Sequence, residues 1–311
     1  MLTIFTIPKA FNAHTGIIQR NAIRSWTLLD PSCEIFLVGD DDGTDKAAQE
    51  MGVKHIPEVQ RNEFGTPLLD SAYQLAEKAA SNRFICYVNA DIILTNSILE
   101  AVSRVINKTD WFLMTGRRWN LDVSDILDFG EGWEDSLTKR VVSRGSLGKH
   151  TQIDLWVYPK GLLSDMPPFA VGRVAYECWC LYKAREKKAQ LIDATSSLMS
   201  VHQNHDYSHH PQGEIGVGRG LEAQRNRELV GGKPYFFTIR DRTHILTKDG
   251  MKQARDGWRL WRGLRAAQVL PVSVPLPARL ALNAANTVIN SGRDVALRIL
   301  RVRREWVSLR R

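Results

Sequence analysis

The stretch FICYVNADIILT, from Phe84 to Thr95, decides how the first half of this chain is expected to fold. Its apolar residues predict a buried β-strand, but the triplet Asn89-Ala90-Asp91 interrupts them with polar side chains. In a parallel sheet covered by helices, a carboxylate at the end of a buried strand faces the ligand crevice rather than the core. Asp91 is therefore a candidate binding residue, although a carboxylate there could also cap the next helix or anchor a turn.

The segments on either side of this strand alternate between short apolar runs and helical patterns. The runs LTIFTI at residues 2–7 and CEIFLVGD at residues 33–40 have the composition of buried parallel strands. Between them, Ile18, Ala22 and Trp26 recur at helical spacing. This β-α-β-α order predicts an α/β fold: a Rossmann-like, mostly parallel sheet with helices on both faces and ligands at the carboxyl ends of its strands.

Later patterns set the predicted boundaries. The segment GTPLLDSAYQLAEKAAS predicts a helix, with Thr66 as its N-cap and Pro67 at its first position. We predict one main domain, which comprises a first half, a polar and mobile excursion and a second half, over residues 1–116, 117–150 and 151–250. Residues 251–311 are predicted to form a separate helical tail.

The composition is that of an ordinary globular protein, since 43% of the 311 residues are hydrophobic and 24% are charged. We expect no signal peptide, because the N-terminal apolar run resembles a first strand, and no membrane-spanning helix, because no apolar stretch reaches about 18 residues. The four cysteines, at positions 33, 86, 178 and 180, lack zinc-finger spacing. These features together predict a cytoplasmic protein with free thiols.

The net charge of +8 is concentrated near the C-terminus. From Arg255 to Arg311 the chain has twelve arginines, no lysine and three acidic residues, so this segment carries +9 and the first 254 residues carry −1. Trp258, Trp261 and Trp306 interleave with the arginines. Such helices suit an anionic membrane surface, so the tail is predicted either to dock on the inner face of the plasma membrane or to pack on the core. No base-reading module accompanies the charge, and we expect no nucleic-acid partner.

Three more polar clusters are candidates for chemistry. In GDDDG, at residues 39–43, Asp40 could accept hydrogen bonds from a base or ribose, although an Asp-Gly turn explains the same letters. In LMSVHQNHDYSHH, at residues 198–210, His202 and His205 could bind a metal, with Asp206 as a third ligand of a zinc site, or belong to a polar surface loop. Glu177 begins a predicted helix among aromatic neighbours, where it could act as a general base or simply complement the helix dipole.

In combination these segments resemble the GT-A glycosyltransferases over roughly residues 1–248. The segments GTPLL, YVNADIIL, GRRWNLD, DLWVYPKG, PPFAVGR, IDAT and HQNHDYSH look like those of bacterial and plant glycosyltransferase-like proteins of this fold. The resemblance implies that the first half binds a nucleotide and the second half binds an acceptor.

The resemblance also implies roles for individual residues of the first half. Asp91 matches the last acid of the D-x-D motif, which holds Mn²⁺ or Mg²⁺ against the diphosphate of a nucleotide-sugar. Asn89 stands where the motif has its first acid, which weakens the match and leaves a neutral amide near the ribose. The strand end at Thr6, Ile7 and Pro8 would lie near the nucleobase and ribose, as would Asp40.

For the second half, the segment MSVH resembles an M-x-x-H pattern that completes the metal site in some members. His202 is thus the first choice for the distal metal ligand and His205 the second. Glu177 matches the acid that activates the acceptor hydroxyl, although the family's pattern more often reads Trp-Asp where this chain has Tyr176-Glu177. Asp154 is a candidate contact to the acceptor or to the donor sugar.

The activity implied is metal-dependent transfer of a sugar from a nucleotide-sugar donor to a glycan or lipid-linked acceptor, as in polysaccharide biosynthesis. Two alternatives stay open at the level of the sequence. One is nucleotidyl transfer, which would require a stronger phosphate-binding loop than TIPKAFNAHTG provides. The other is a degenerate binding or scaffold protein, which the unusual Asn89 and Glu177 would fit.

Overall fold

The computed structural model describes residues 2–206 and 213–257, together with residues 263, 266, 267, 269 and 270. Within these residues the strands are β1 (Leu2–Thr6), β2 (Glu34–Val38), β3 (Lys54–Ile56), β4 (Phe84–Val88), β5 (Ile92–Leu94), β6 (Phe112–Thr115), β7 (Trp119–Leu121), β8 (Ser146–Leu147), β9 (Leu155–Pro159), β10 (Gln190–Asp193), β11 (Ser200–Gln203), β12 (His244–Thr247) and β13 (Gly250–Gln253). The helices are α1 (Ala13–Thr27), α2 (Thr44–Met51), α3 (Leu69–Ala79), α4 (Ser97–Ile106), α5 (Trp133–Arg144), α6 (Tyr176–Glu186), α7 (Gly213–Arg219) and α8 (Leu221–Val230).

The main sheet has nine strands in the order β13-β12-β10-β6-β9-β4-β1-β2-β3. The strands β4, β1, β2 and β3 are parallel to one another, and so are β6, β10 and β12. Strand β9 lies antiparallel between these two blocks and joins them. The prediction of a mostly parallel α/β sheet is therefore confirmed.

Helices cover both faces of this sheet, as expected. On one face Ala22 and Trp26 of α1 and Ile98 of α4 pack on Ile4 and Cys86 in a continuous aliphatic core. The other face is aromatic, and its rings pack in a chain that links α3 and α6 to the strands: Phe5, Tyr73, Tyr87, Trp156 and Tyr176. Because neighbouring side chains of a strand point to opposite faces, the run FICYV supplies both layers at once.

A second, four-stranded sheet was not predicted. Its order is β5-β11-β7-β8, and it takes strands from the end of FICYVNADIILT, from the excursion at 117–150 and from the segment that contains His202. The strands are only two to four residues long, and such short pairings carry too little periodicity to be recognised in a sequence.

Two local predictions differ from the structure. Helix α3 begins at Leu69 with Leu68 as its N-cap and without a side-chain cap, so Thr66 does not cap it. Pro67 instead forms an isolated bridge with Arg61, because residues 61–67 turn back on themselves before the helix. The first compact unit ends at Ala254, directly after β13, which completes the sheet edge.

The predicted basic tail lies almost entirely outside the described residues, and so do positions 207–212 of the histidine-rich segment. In the part of the chain that the structure does describe, no helix combines the length and the apolar composition needed to cross a bilayer.

Candidate active site

Asp91 lies at the carboxyl end of β4, in the short turn that links β4 to β5. The backbone N–H of Asn89 donates to the Asp154 carbonyl at 2.9 Å, and the N–H of Ile92 donates to the Asn89 carbonyl at 3.1 Å. The first bond continues the pairing of β4 with β9, and the second closes the turn. The sequence order strand, NAD, strand therefore places the Asp91 side chain at the sheet edge where parallel strands of this fold receive ligands.

Asp91, His202 and His205 form one cluster. Their potential ligand atoms all lie within 4.8 Å of one another. Asp91 Oδ2 is 3.1 Å from His205 Nε2 and 3.6 Å from His202 Nε2. Two ligand atoms bound at right angles to one cation, at about 2.1 Å each, are about 3.0 Å apart. The separations in the cluster are thus those of groups that can share one divalent cation.

The cluster also contains buried polar atoms that need a partner. Among the described residues, Asp91 Oδ1 and His202 Nδ1 are buried and have no hydrogen-bond partner. His205 Nδ1 lies 2.6 Å from the Asp206 carbonyl, which fixes the ring with Nε2 directed at Asp91. A backbone carbonyl on the second nitrogen is the usual support of a metal-bound imidazole. The residues therefore fit a divalent cation, and two imidazoles suit Mn²⁺ better than Mg²⁺, which prefers oxygen ligands throughout.

The carboxylate and the two imidazoles of the cluster shift one another's pKa values. Burial would raise the pKa of the Asp91 carboxyl, but the imidazoles of His202 and His205 outweigh it and hold that pKa well below its usual range. Burial lowers the pKa of His202, which favours the neutral, ligating form. The hydrogen bond to Asp91 raises the pKa of His205.

Gln203 holds the backbone of Asp91 in position. The sequence patterns did not identify it as a site residue. It is fully buried, and both its backbone N–H and its side-chain Nε2 donate to the Asp91 carbonyl at 3.2 Å. Its Nε2 also donates to the Ile18 carbonyl at 2.7 Å, while its Oε1 accepts from Asn21 Nδ2 at 2.9 Å. Gln203 therefore links Asp91 to helix α1 by hydrogen bonds. In the sequence, its position between the candidate ligands His202 and His205 was the one feature that could have indicated this role.

Asn89 does not stand free beside Asp91 but joins a network. Its Nδ2 donates to Asp154 Oδ1 at 2.8 Å, and its Oδ1 accepts from the Tyr87 hydroxyl at 3.0 Å. The other Asp154 oxygen accepts from Arg118 Nη1 at 2.9 Å, in an ion pair whose side chains are 16% and 10% exposed. An amide fits this position because it must donate to a carboxylate and accept from a phenol at the same time.

Glu177 lies in the first turn of α6 and lines the same cleft as Asp91, Asp154 and Arg118. Burial, reinforced by the negative charge of Asp154, raises the pKa of Glu177 to about 8, although backbone amides at the helix start and Arg118 oppose the shift. Ala175, two residues before Glu177, has a φ of 92°. This left-handed backbone conformation costs a non-glycine residue about 1–2 kcal/mol. This strained turn directs the start of α6 into the cleft.

The cluster opens into a groove that extends in two directions. One lobe, of about 300 Å³, leads to Glu177 and Arg118. The other, of about 540 Å³, is lined by Ile7, Pro8 and Asp41 among others. Ile7 and Lys9 also border the small cavity beside Asp91 and His205, which connects this lobe to the cluster. Lys9 borders both lobes and was not singled out in the sequence, because a lone lysine after an apolar run carries no signal. Burial lowers the pKa of Lys9, an effect that the nearby Asp91 carboxylate counteracts.

The remaining predicted residues divide between this groove and its surroundings. Ile7 and Pro8 line the larger lobe, whereas Thr6 is fully buried within β1. The side chain of Asp40 is 63% exposed and forms an ion pair with Arg61 at 2.5 Å. Its neighbour Asp41 also forms an ion pair with Arg61. Asp41, rather than Asp40, is the acid of GDDDG that lines the larger lobe.

No protein-family model and no curated protein matches this chain. Among solved structures, residues 1–349 of S. aureus TarS in complex with UDP-GlcNAc match with a TM-score of 0.44 and 14% identity, over 66% of this chain and 59% of that one. Glucosyl-3-phosphoglycerate synthase from Mycobacterium tuberculosis, in complex with Mg²⁺ and UDP, matches with a TM-score of 0.44 and 16% identity, over 75% and 80% of the two chains. A mannosyltransferase from Pyrobaculum calidifontis, in complex with GDP-Man and Mn²⁺, matches with a TM-score of 0.45 and 12% identity, over 93% and 79%.

This chain spans 59% of the length of the TarS fragment that it matches.

Proposed function

We propose that this protein transfers a sugar from a nucleotide-sugar donor to an acceptor hydroxyl, with a divalent cation bound by Asp91, His202 and His205. The observation that carries the proposal is the position of this cluster. It lies at the carboxyl end of a buried strand, between the lobe lined by Ile7, Pro8 and Asp41 and the lobe that contains Glu177. A donor with a charged diphosphate and an acceptor with a neutral hydroxyl need two such environments side by side.

The lobe lined by Ile7, Pro8 and Asp41 is assigned to the nucleoside. Its apolar residues suit the flat faces of a base, and a carboxylate accepts hydrogen bonds from base or ribose. Lys9 lies between this lobe and Asp91, where its ammonium would meet the diphosphate. A cation bound to the cluster would neutralise charge that develops on the departing diphosphate.

Glu177 is assigned as the general base. A carboxylate whose pKa is about 8 is a stronger base than an ordinary glutamate, and it accepts the proton of an acceptor hydroxyl more readily. The proton moves from the hydroxyl oxygen to a Glu177 oxygen as the hydroxyl attacks the anomeric carbon. Arg118, held by Asp154 on the wall of the same lobe, opposes the pKa shift of Glu177 and so helps it to lose the proton again.

Asn89 and Asp154 serve this site by positioning other groups. Both Asp154 oxygens accept hydrogen bonds from protein groups, namely from Asn89 and from Arg118. In the proposed mechanism these two residues fix the cleft wall between Asp91 and Glu177, and contacts to ribose or sugar are secondary.

The test is a thermal-shift panel of the purified full chain against UDP, GDP, CDP and dTDP sugars, with and without Mn²⁺. The proposal predicts that one nucleotide class raises the melting temperature only when Mn²⁺ is present. Asp91→Asn and His202→Ala should abolish this shift. Asp110→Asn is the matched control, since Asp110 is an exposed aspartate paired with Arg83 and should leave the shift unchanged.

Product analysis separates the rival activities. Sugar transfer releases a nucleoside diphosphate, whereas nucleotidyl transfer releases pyrophosphate. Absence of any cation-dependent nucleotide binding by folded protein would refute the transferase and favour a binding or scaffold role.

For the acceptor we propose a glycan or lipid-linked sugar presented at an anionic membrane surface, which the basic tail would contact. Support comes from the sequence, in which the +9 charge of residues 255–311 alternates with tryptophan and leucine. Flotation with vesicles that contain an anionic lipid should recover the full chain, and removal of residues 258–311 should abolish recovery. Equal recovery of both forms would refute the membrane contact.

A further inference from the structure

A second pocket lies in the excursion between β7 and α5, away from the groove described above. One wall is a face of α5, from which Trp133, Ser136 and Arg140 project at helical spacing. The opposite wall is the loop that contains Asp128 and Glu131. The pocket encloses about 240 Å³. It is called the Trp133 pocket here.

The apolar part of the Trp133 pocket packs against a small core of its own. Leu127 and Trp133 pack against a small core that contains Leu137 and Val201. The ring of Phe129 meets the Trp133 ring edge to face, with centroids 5.0 Å apart and planes at 66°. An indole held in this way offers a large flat surface without loss of side-chain entropy on binding.

The polar part of the pocket has unused hydrogen-bonding capacity. Within the described residues, the Trp133 indole N–H, the Glu131 carboxylate and the Ser136 hydroxyl make no hydrogen bond to protein, and all three are accessible to solvent. Asp128 Oδ1 accepts from the Gly130 N–H at 2.9 Å, and Arg140 makes one long contact of 3.5 Å to the Asp122 carbonyl. Donors and acceptors thus alternate around an apolar floor.

We infer that the Trp133 pocket binds a neutral carbohydrate residue. A sugar ring combines an apolar C–H face, which packs on an aromatic ring, with hydroxyls that both donate and accept. Carboxylates of Asp128 and Glu131 accept from adjacent hydroxyls, while Arg140 and the indole N–H donate. Two carboxylates against one guanidinium leave the pocket with a net negative charge, which disfavours phosphates and other anions.

This site is separate from the cation cluster. Val201 packs in the small core beneath the pocket, and the next residue of β11, His202, points to the opposite face of the strand. The four-stranded sheet therefore lies between the Trp133 pocket and the cluster. A glycan bound here would be anchored without contact to the reacting groups, and the inference does not depend on the proposed transferase activity.

The test is saturation-transfer NMR of the full chain with neutral trisaccharides, namely maltotriose, cellotriose, mannotriose, galactotriose and chitotriose. We expect at least one trisaccharide to bind, and Trp133→Ala to weaken its binding by about tenfold or more. Glu131→Gln and Ser136→Ala are surface changes that leave the small core intact, so they test the pocket even if Trp133→Ala unfolds. Val142→Ala is the matched control, because Val142 is an exposed residue of the same helix and does not line the pocket.

Three outcomes would overturn the inference. They are absence of binding by every trisaccharide, binding that is unaffected by all three pocket variants, and binding that is lost in Asp91→Asn but kept in the pocket variants. The last result would place the sugar in the main groove. Retention of Mn²⁺-dependent nucleotide binding in the pocket variants, together with loss of trisaccharide binding, would support a distinct glycan site.

Discussion

Restoring the acidic motif with Asn89→Asp should destabilise the protein rather than improve its metal site. The substitution removes the N–H donor that bonds Asp154 Oδ1 at 2.8 Å and places a second carboxylate at that distance. At an effective dielectric constant of 20, two unit charges 2.8 Å apart repel by about 6 kcal/mol. Protonating a carboxyl of ordinary pKa at pH 7 costs only about 4 kcal/mol, so the pair will take up a proton instead.

That proton sets both the magnitude and the pH dependence of the effect. The upper limit is about 4 kcal/mol at pH 7, and since Arg118 Nη1 lies 2.9 Å from Asp154 Oδ2 and offsets part of the repulsion, we expect a loss of about 2–3 kcal/mol. The folded variant binds a proton more tightly than its unfolded chain, so its stability relative to wild type falls as pH rises. Most of the loss should therefore disappear near pH 5.

The assay is urea unfolding at pH 5 and pH 7.5, without added cation, for wild type, Asn89→Asp and Asn89→Ala. The alanine variant loses the same hydrogen bonds without adding charge, so its deficit should be nearly independent of pH. A pH-independent deficit in Asn89→Asp would refute the repulsion argument. Equal stability with tighter Mn²⁺ binding would show instead that Asn89 is a weakened metal ligand.

Three further predictions concern other buried polar groups. Glu177→Gln should unfold at a higher urea concentration than wild type at pH 8 but not at pH 5. The pKa of about 8 means that native Glu177 binds its proton more tightly than the unfolded chain does, so wild type loses stability as pH rises. An equal difference between variant and wild type at both pH values would contradict the raised pKa of Glu177. Glu222→Gln should cost about 2–3 kcal/mol in urea melts, since it removes the charge that pairs with the largely buried Arg173 side chain. Glu63→Gln, which breaks the exposed pair of Glu63 and Arg225, should cost under about 1 kcal/mol, and similar losses in the two variants would show that burial does not strengthen the Glu222 pair. Gln203→Leu should weaken Mn²⁺ affinity about 10–100-fold by titration calorimetry while Asp91 stays in place, and unchanged affinity would remove its positioning role.

The sequence was sufficient for the class of fold because its signals are local. Apolar runs such as FICYV and LTIFT, separated by helical patterns, predicted the parallel strands and their covering helices. The same logic predicted that Asp91 would lie at a strand's carboxyl end, where the structure places it. Local patterns also marked Glu177, His202 and His205 as candidates, and the resemblance implied their specific roles. The structure adds that the two histidines lie close to Asp91.

Other features depend on contacts that no local pattern contains. The antiparallel strand β9 reads as an ordinary buried run, and only its pairing with β4 and β6 fixes its direction. The four-stranded sheet joins strands of two to four residues from distant parts of the chain. Thr66 and Pro67 have the letters of a helix start, but pairing of Pro67 with Arg61 takes precedence over local propensity.

The sequence by itself thus determined which chemical groups are available and which end of the sheet they reach, because alternation of strand and helix is written in neighbouring residues. Only the tertiary structure decided what those groups do. Asn89 is a motif variant in the sequence and the centre of a hydrogen-bond network in the fold, since its partners are Tyr87 of β4 and Asp154, which directly precedes β9. The raised pKa of Glu177 likewise arises from burial and from Asp154, 23 positions away in the chain, and burial is a property of the folded chain alone.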